Sequence, residues 1–179
     1  VNPVDTKVRN TTSPEEGHHK ILGWDAVGEV VATGDLVELF KVGDQVWYAG
    51  DITRSGSNAE YQLVDERIVG KKPKSLSNVE AAAMPLTAIT AWELLFDRQN
   101  AQKRDPAAPK PRILVIGAAG GVGSILIQLA VKLTNATVIG TASRGQSQTW
   151  VSNFGADHVI NHHQPLLPQL NAIGIENVT

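Results

Sequence analysis

From position 112 onward the apolar residues switch back and forth between short unbroken runs and helical spacing. Arg112-Ile113-Leu114-Val115-Ile116 reads as a buried strand, and Val122, Ile125, Leu126, Leu129 and Leu133 line one face of a helix. Thr134-Asn135 predicts the helix stop, because Asn tolerates the left-handed conformation that ends helices. Positions 136–142 are rich in β-branched residues and predict a second strand. A helix over about 145–154, a strand over about 158–161 and a helix over about 165–172 follow, with Gly155 and Gly174 as stops. Strand and helix in alternation predict a parallel sheet with right-handed crossovers, and the strands found here make half of a doubly wound sheet.

The earlier part of the chain has another texture. Positions 27–32 alternate around Gly28 and meet the turn Thr33-Gly34-Asp35. Lys41-Val42-Gly43-Asp44 is a tight turn feeding a strand over 45–49. Positions 51–58 form a polar Gly/Ser loop, and 59–64 alternate as another strand. Short strands with glycine turns predict a small barrel or a partly open sheet. At Ser77 the pattern changes: Ser77-Asn78-Val79-Glu80 fits a capping box opening a helix. Pro85 interrupts that helix, pushes Met84 towards an extended conformation, and starts a second helix running to about Phe96. Positions 99–111, with three prolines, predict an exposed connector. The expected division is 1–76, a β-rich domain; 77–111, connecting helices and linker; and 112–179, an α/β domain. No internal repeat or low-complexity tract interrupts it.

The chemistry sits where strand 112–116 meets its helix. Ala118-Ala119-Gly120-Gly121-Val122-Gly123 fits G-x-G-x-x-G with Ala118 in place of the first glycine. Gly120 lets the backbone approach a pyrophosphate and Gly123 lets the helix pack closely, while the helix start offers free N–H groups to phosphate. The expected cofactor-binding residues here are Ala119, Gly120, Gly121, Val122 and Gly123. About 20 residues on, an NAD site places a carboxylate for the ribose 2′-hydroxyl. This chain has Ser143 and Arg144 instead. A carboxylate would repel a 2′-phosphate, whereas a hydroxyl and a guanidinium hold one, so the pair favours NADPH. An arginine at a helix start is also poorly placed unless an anion sits beside it.

Net charge is −2 over 179 residues, so no basic excess points to nucleic acid. With no cysteine, disulfides and thiolate metal sites are excluded. No apolar run approaches the roughly 20 residues of a membrane span, and no signal peptide is evident; the expectation is a soluble cytoplasmic protein with no membrane partner. The chain starts at Val1 without an initiator Met and stops at Thr179 where another strand could begin, so both ends are expected to be cut.

A set of segments spread over nearly the whole chain resembles the medium-chain dehydrogenase/reductase superfamily, and within it the NADPH:quinone oxidoreductase group, including bacterial zinc-type alcohol dehydrogenase-like proteins. They are Val1-Asn2-Pro3-Val4-Asp5-Thr6, Leu22-Gly23-Trp24-Asp25-Ala26-Val27-Gly28, Gly43-Asp44-Gln45-Val46, Leu86-Thr87-Ala88-Ile89-Thr90-Ala91-Trp92, and 117–123 with Gln128. The resemblance implies a GroES-like β-rich substrate domain followed by a partial Rossmann domain, within a longer protein.

It also implies where a catalytic zinc would be held in zinc-dependent relatives, and those positions here match Asn2, Trp24 and Leu86. Indole and aliphatic side chains do not ligate zinc, so no metal site is expected. His18-His19 and His162-His163 lack partners at zinc spacing and read as structural or solvated histidines.

The implied reaction is hydride transfer from NADPH to a quinone or conjugated enone, which needs little acid–base help because the cofactor carries the difficult step. The family motifs put Asn2 beside the nicotinamide and Thr90 near the same end of the cofactor. Lys7 stands where related quinone reductases often carry Tyr, and either donates to an acceptor oxygen or points into solvent. Asn2 and Lys7 are the expected catalytic pair. Trp24 and Tyr48 either wall the acceptor pocket or belong to the core, and Asp5 and Asp25 are expected to bond backbone groups near turns. The alternatives are reduction of an enoyl thioester or 2-alkenal, and a non-catalytic NADPH-binding regulatory module. The complete protein is expected to be a homo-oligomer, a dimer, and this chain alone inactive, because half a Rossmann sheet leaves an open strand edge.

Overall fold

The β-branched run after Asn135 becomes the middle strand of a parallel sheet in the computed structural model, which describes residues 1–14, 16–105 and 110–178. The chain divides into two units, Val1–Leu86 and Thr87–Thr179.

In the second unit β4 (Arg112–Val115), β5 (Thr137–Thr141) and β6 (His158–Ile160) are parallel in the order β4-β5-β6. They alternate with α4 (Gly121–Leu133), α5 (Gly145–Asn153) and α6 (Leu166–Ala172), as the changing periodicity predicts. Successive residues of β5 face opposite sides. Val138 joins Ala118, Ile127, Ala130 and Val151 in one buried cluster, while Ile139 joins Ile160, Leu170 and Ile175 in the other. A strand covered on both faces has no solvent side, which explains why its residues are β-branched or small and none is charged. Part of the expected connector is docked here. Arg104 donates its main-chain N–H to Leu133 O at 2.7 Å, and its guanidinium to Val131 O at 2.6 Å and Thr134 O at 3.3 Å. A cation on the last carbonyls of α4 satisfies acceptors that the helix cannot. The rest of that connector, at 106–109, lies outside the described residues.

In the first unit β1 (Asp25–Glu29), β2 (Gln45–Ala49) and β3 (Val69–Lys71) form an antiparallel sheet in the order β1-β2-β3. The turn at Lys41–Asp44 forms as expected. Asp44 N donates to Lys41 O at 3.1 Å, and Gly43 takes the positive φ of +93° that this turn requires.

Several expectations are corrected. The first strand begins at Asp25 and its ladder ends at Glu29 rather than spanning 27–32, although Val30 still bonds to Asp44 O and Gly43 N. The expected strand over 59–64 does not form. Its alternation is present, but β1 and β3 occupy both edges of β2, and Tyr61 and Leu63 stand 76% and 85% exposed. A period of two makes a strand only where a neighbouring backbone supplies hydrogen bonds. Conversely, α1 (Pro3–Thr11) was not foreseen. Its signals are short but present: Asn2 at the N-cap, Pro3 at the first helical position, Asp5 in the first turn and Arg9 in the last.

The Ser77 capping box forms at the start of α2 (Asn78–Ala82). Glu80 N donates to Ser77 Oγ at 3.3 Å, and Ser77 Oγ and N donate to Glu80 Oε2 at 2.7 and 2.9 Å. Those bonds, from the hydroxyl first and the amide second, hold the Glu80 carboxyl below its usual range. The next helix, α3 (Pro85–Trp92), begins at its proline and continues past Phe96 as a wider π turn over Glu93–Arg98. Asn100, at φ +49°, ends it. Among the described residues, no helix is long and apolar enough to cross a membrane.

Candidate dinucleotide-binding site

The glycine-rich turn is built on the end of β5. Gly117 N donates to Thr141 Oγ1 at 3.0 Å and Ala118 N to Thr141 O at 3.2 Å, so a fully buried threonine at the end of the next strand fixes the turn. Ala118 is tolerated at the first-glycine position because its methyl enters the core opposite Gly140, where a Cβ would lie only 3.0 Å away.

Gly120 is the N-cap of α4, with φ −77° and ψ 174°. Its N–H bonds to Gly117 O and its carbonyl accepts from Ser124 N, each at 2.9 Å. No side chain caps the helix among the described residues. The amides of Gly121, Val122 and Gly123 therefore open the helix without an intrahelical acceptor, the arrangement that receives phosphate oxygens. Gly123 is required by close approach: a Cβ there would lie 2.5 Å from Gly117 O and 2.8 Å from Ala118 Cα. Ala119 is half-buried, and Gly120 and Gly121 are exposed.

A Cβ on Gly121 would meet Thr87 Cγ2 at 3.2 Å, so the first turn of α3 lies against the glycine turn. Thr90 follows Thr87 by three residues and shares its helix face, and both are half-buried. Sequence reasoning named Thr90 and missed both Thr87 and Thr141. The threonine at the end of the second strand was the available signal for Thr141.

Beyond β5, Ala142 N bonds to Ile160 O at 2.9 Å, and Ser143 is half-buried. Arg144 is the exposed N-cap of α5, whose first turn holds no acidic residue. Its guanidinium makes no ion pair among the described residues. A helix start and an unneutralised cation together make a place for an anion. The donor set at Gly120–Gly123 thus fits the diphosphate of a nicotinamide dinucleotide.

In the first unit Asn2, Asp5 and Asp25 come together. Asn2 and Asp5 are bonded twice at the start of α1: Asp5 Oδ2 accepts from the Asn2 main-chain N–H at 2.6 Å, and Asp5 N donates to the Asn2 main-chain carbonyl at 3.0 Å. Asp25 accepts from Asn2 Nδ2 at 2.5 Å and from Leu86 N at 2.7 Å. Both aspartates thus bond backbone groups, as expected. Lys7 stands on the exposed side of α1, and its ammonium has no hydrogen-bond partner among the described residues.

Trp24 is 2% exposed, a core residue against Gly50, and its Nε1 has no partner among the described residues; the same holds for Asp5 Oδ1. Tyr48 is half-buried and donates to Gln62 Oε1 at 2.8 Å, with burial pushing its phenol pKa up. It lines a cavity of about 530 Å³ with Gln62, Val46 and Val69. His162 and His163 pack ring to ring at 4.8 Å, and no group of three or more His, Cys, Asp or Glu able to hold a metal occurs among the described residues.

Residues 1–74 match the alcohol dehydrogenase GroES-like domain family. The chain is 45% identical over 178 residues to a zinc-type alcohol dehydrogenase-like protein of Staphylococcus epidermidis, covering 99% of this chain and 52% of that protein. It is 39% identical over 175 residues to the 2-methylene-furan-3-one reductase of Solanum lycopersicum, covering 90% of this chain and 42% of that protein. Among solved structures, the Escherichia coli quinone oxidoreductase complexed with NADPH superposes with a TM-score of 0.79 at 31% identity, over 97% of this chain and 51% of that one. The chain spans about half the length of the curated relatives it matches. With a GroES-like first unit, a partial Rossmann sheet in the second and these relatives over nearly its whole length, the chain belongs to the medium-chain dehydrogenase/reductase superfamily.

Proposed function

We propose that this chain serves a zinc-independent oxidoreductase that moves a hydride from NADPH to a quinone or conjugated enone. The observation that carries the reading is the uncapped start of α4 at Gly120, packed against the turn through Gly123, with Ser143 and Arg144 in place of a ribose-binding carboxylate. The amides of Gly121, Val122 and Gly123 hold the diphosphate by hydrogen bonds from fixed backbone donors. Ser143 and Arg144 hold the 2′-phosphate. Thr90 orients the nicotinamide end, and Asn2 donates to a carbonyl oxygen there. Lys7 donates to a carbonyl oxygen or an anionic acceptor. When bound, NADPH supplies the hydride; the residues around it position the acceptor and exclude water.

The similarity to a 2-methylene-furan-3-one reductase favours an acceptor with a C=C bond conjugated to a carbonyl. Asn2, Trp24 and Leu86, at the positions matched to zinc ligands, offer no imidazole, thiolate or carboxylate to a metal, which supports a metal-free reaction.

The test is binding and turnover by the complete gene product, with 9,10-phenanthrenequinone and a conjugated enone as acceptors. NADPH is expected to bind and turn over in preference to NADH. Arg144→Asp is expected to lower the NADPH-to-NADH ratio of kcat/KM by about 100-fold, the loss of a charge-assisted phosphate contact worth about 2–3 kcal/mol. Calorimetry that detects neither nucleotide would sink the redox reading. Binding without turnover on any acceptor would leave a regulatory module.

A further inference from the structure

We propose that Asp25 is the positioning residue for Asn2, the carboxylate that sets which way the Asn2 side-chain amide faces; this deepens the hydride-transfer reading and rests on it. Asp25 divides its two oxygens between two donors: Oδ1 takes Leu86 N–H at 2.7 Å, and Oδ2 takes Asn2 Nδ2–H at 2.5 Å. An ionised carboxylate only accepts, so the Asn2 NH₂ group, and not its carbonyl, must face Asp25. The backbone beneath is held as firmly, because Asp5 Oδ2 accepts from Asn2 N at 2.6 Å and Asn2 caps α1.

Nδ2 carries two hydrogens, and Asp25 uses one. The amide is planar, so the second N–H is left with a set direction on a half-exposed side chain. A pre-aimed N–H matches a carbonyl oxygen that gains negative charge as the hydride arrives, and an already oriented donor needs no reorganisation at that moment. Asparagine at position 25 could not do this work. The two donors lie against different oxygens, and an asparagine keeps an oxygen at only one of those positions, so its NH₂ would face either the Leu86 N–H or the Asn2 NH₂.

The experiment is a double-mutant cycle on the complete gene product, with NADPH and 9,10-phenanthrenequinone. Asp25→Asn and Asn2→Ala are each expected to lower kcat on the order of 10- to 100-fold, the scale for a misplaced catalytic contact. NADPH affinity should stay within about threefold, and the double variant should be no slower than Asn2→Ala alone. The exchanged pair, Asn2→Asp with Asp25→Asn, remakes the hydrogen bond in reverse but puts no N–H at position 2. It should regain thermal stability without regaining kcat. Losses that multiply in the double variant, or kcat restored by the exchanged pair, would overturn the proposal. Side-chain ¹⁵N NMR gives a readout apart from turnover: the Asn2 amide should show one strongly downfield proton that Asp25→Asn removes. A wild-type protein that turns over neither quinone nor enone removes the hydride-transfer reading, and Asp25's hold on Asn2 is then decided by that amide signal alone.

Discussion

The two sheets of this chain are covered very differently. In the second unit Val138 and Ile139, neighbours on β5, are fully buried on opposite faces. In the first unit Leu36 is 93% exposed and Leu63 85%, and no residue of β1 is buried. The contrast comes from connectivity. Parallel strands must be joined by crossovers; here the crossover helices α4 and α5 cover one face and α6, which follows β6, covers the other, so neighbours in sequence complete the core. Antiparallel strands need only turns, which cover nothing. The glycine-rich turn therefore rests on a packed base made from contiguous sequence, whereas the Asn2–Asp25 cluster is tied together by side chains distant along the chain.

Substitutions should separate the two kinds of support. The largest effect is expected from Ile139→Ala, which empties a fully enclosed site between β5 and α6 and should lower the stability of the second unit by about 3–4 kcal/mol. Residue-resolved hydrogen exchange should show the loss across β4–β6; a change below about 0.5 kcal/mol, the level of a surface site, would contradict the packing. Gly123→Ala comes next. Its Cβ meets backbone rather than a flexible side chain, so the turn must shift, at a cost of about 2–3 kcal/mol, and NADPH affinity should fall with it. Calorimetry and thermal melts check both, and unchanged affinity would detach Gly123 from the phosphate site. The smallest effect belongs to Gly28→Ala in β1, where a Cβ finds open space and φ is not positive. That change should be neutral or stabilising by up to about 0.5 kcal/mol, through reduced freedom of the unfolded chain. A loss of more than about 1 kcal/mol in chemical denaturation would mean that this face is covered after all.

The second unit was largely legible because its information is local. The 3.6 and unbroken periods, the stop at Thr134-Asn135 and the glycines at 120, 121 and 123 each act within a few residues of where they stand. The Ser77–Glu80 cap was legible for the same reason. The failures in the first unit share one cause. Positions 59–64 have a strand's alternation but no ladder, while β3, with little pattern, pairs with β2 because the backbone of β2 is there to receive it. Helix α1 announced itself only by Asn-Pro-x-Asp, a cap without a long amphipathic stripe behind it.

Composition and spacing alone determined the α/β alternation, the glycine turn at a helix start, and the lack of a carboxylate at 143–144. They also excluded thiolate ligands, since there is no cysteine. Tertiary structure alone decided that Thr141 anchors the turn, that Thr87 lies against Gly121, and that Asp25 reaches both Asn2 and Leu86. The physical reason is range. Periodicity and capping are set by steric and hydrogen-bonding rules among near neighbours, whereas a carboxylate's partners 23 and 61 residues away exist only once the backbone has folded to bring them within reach.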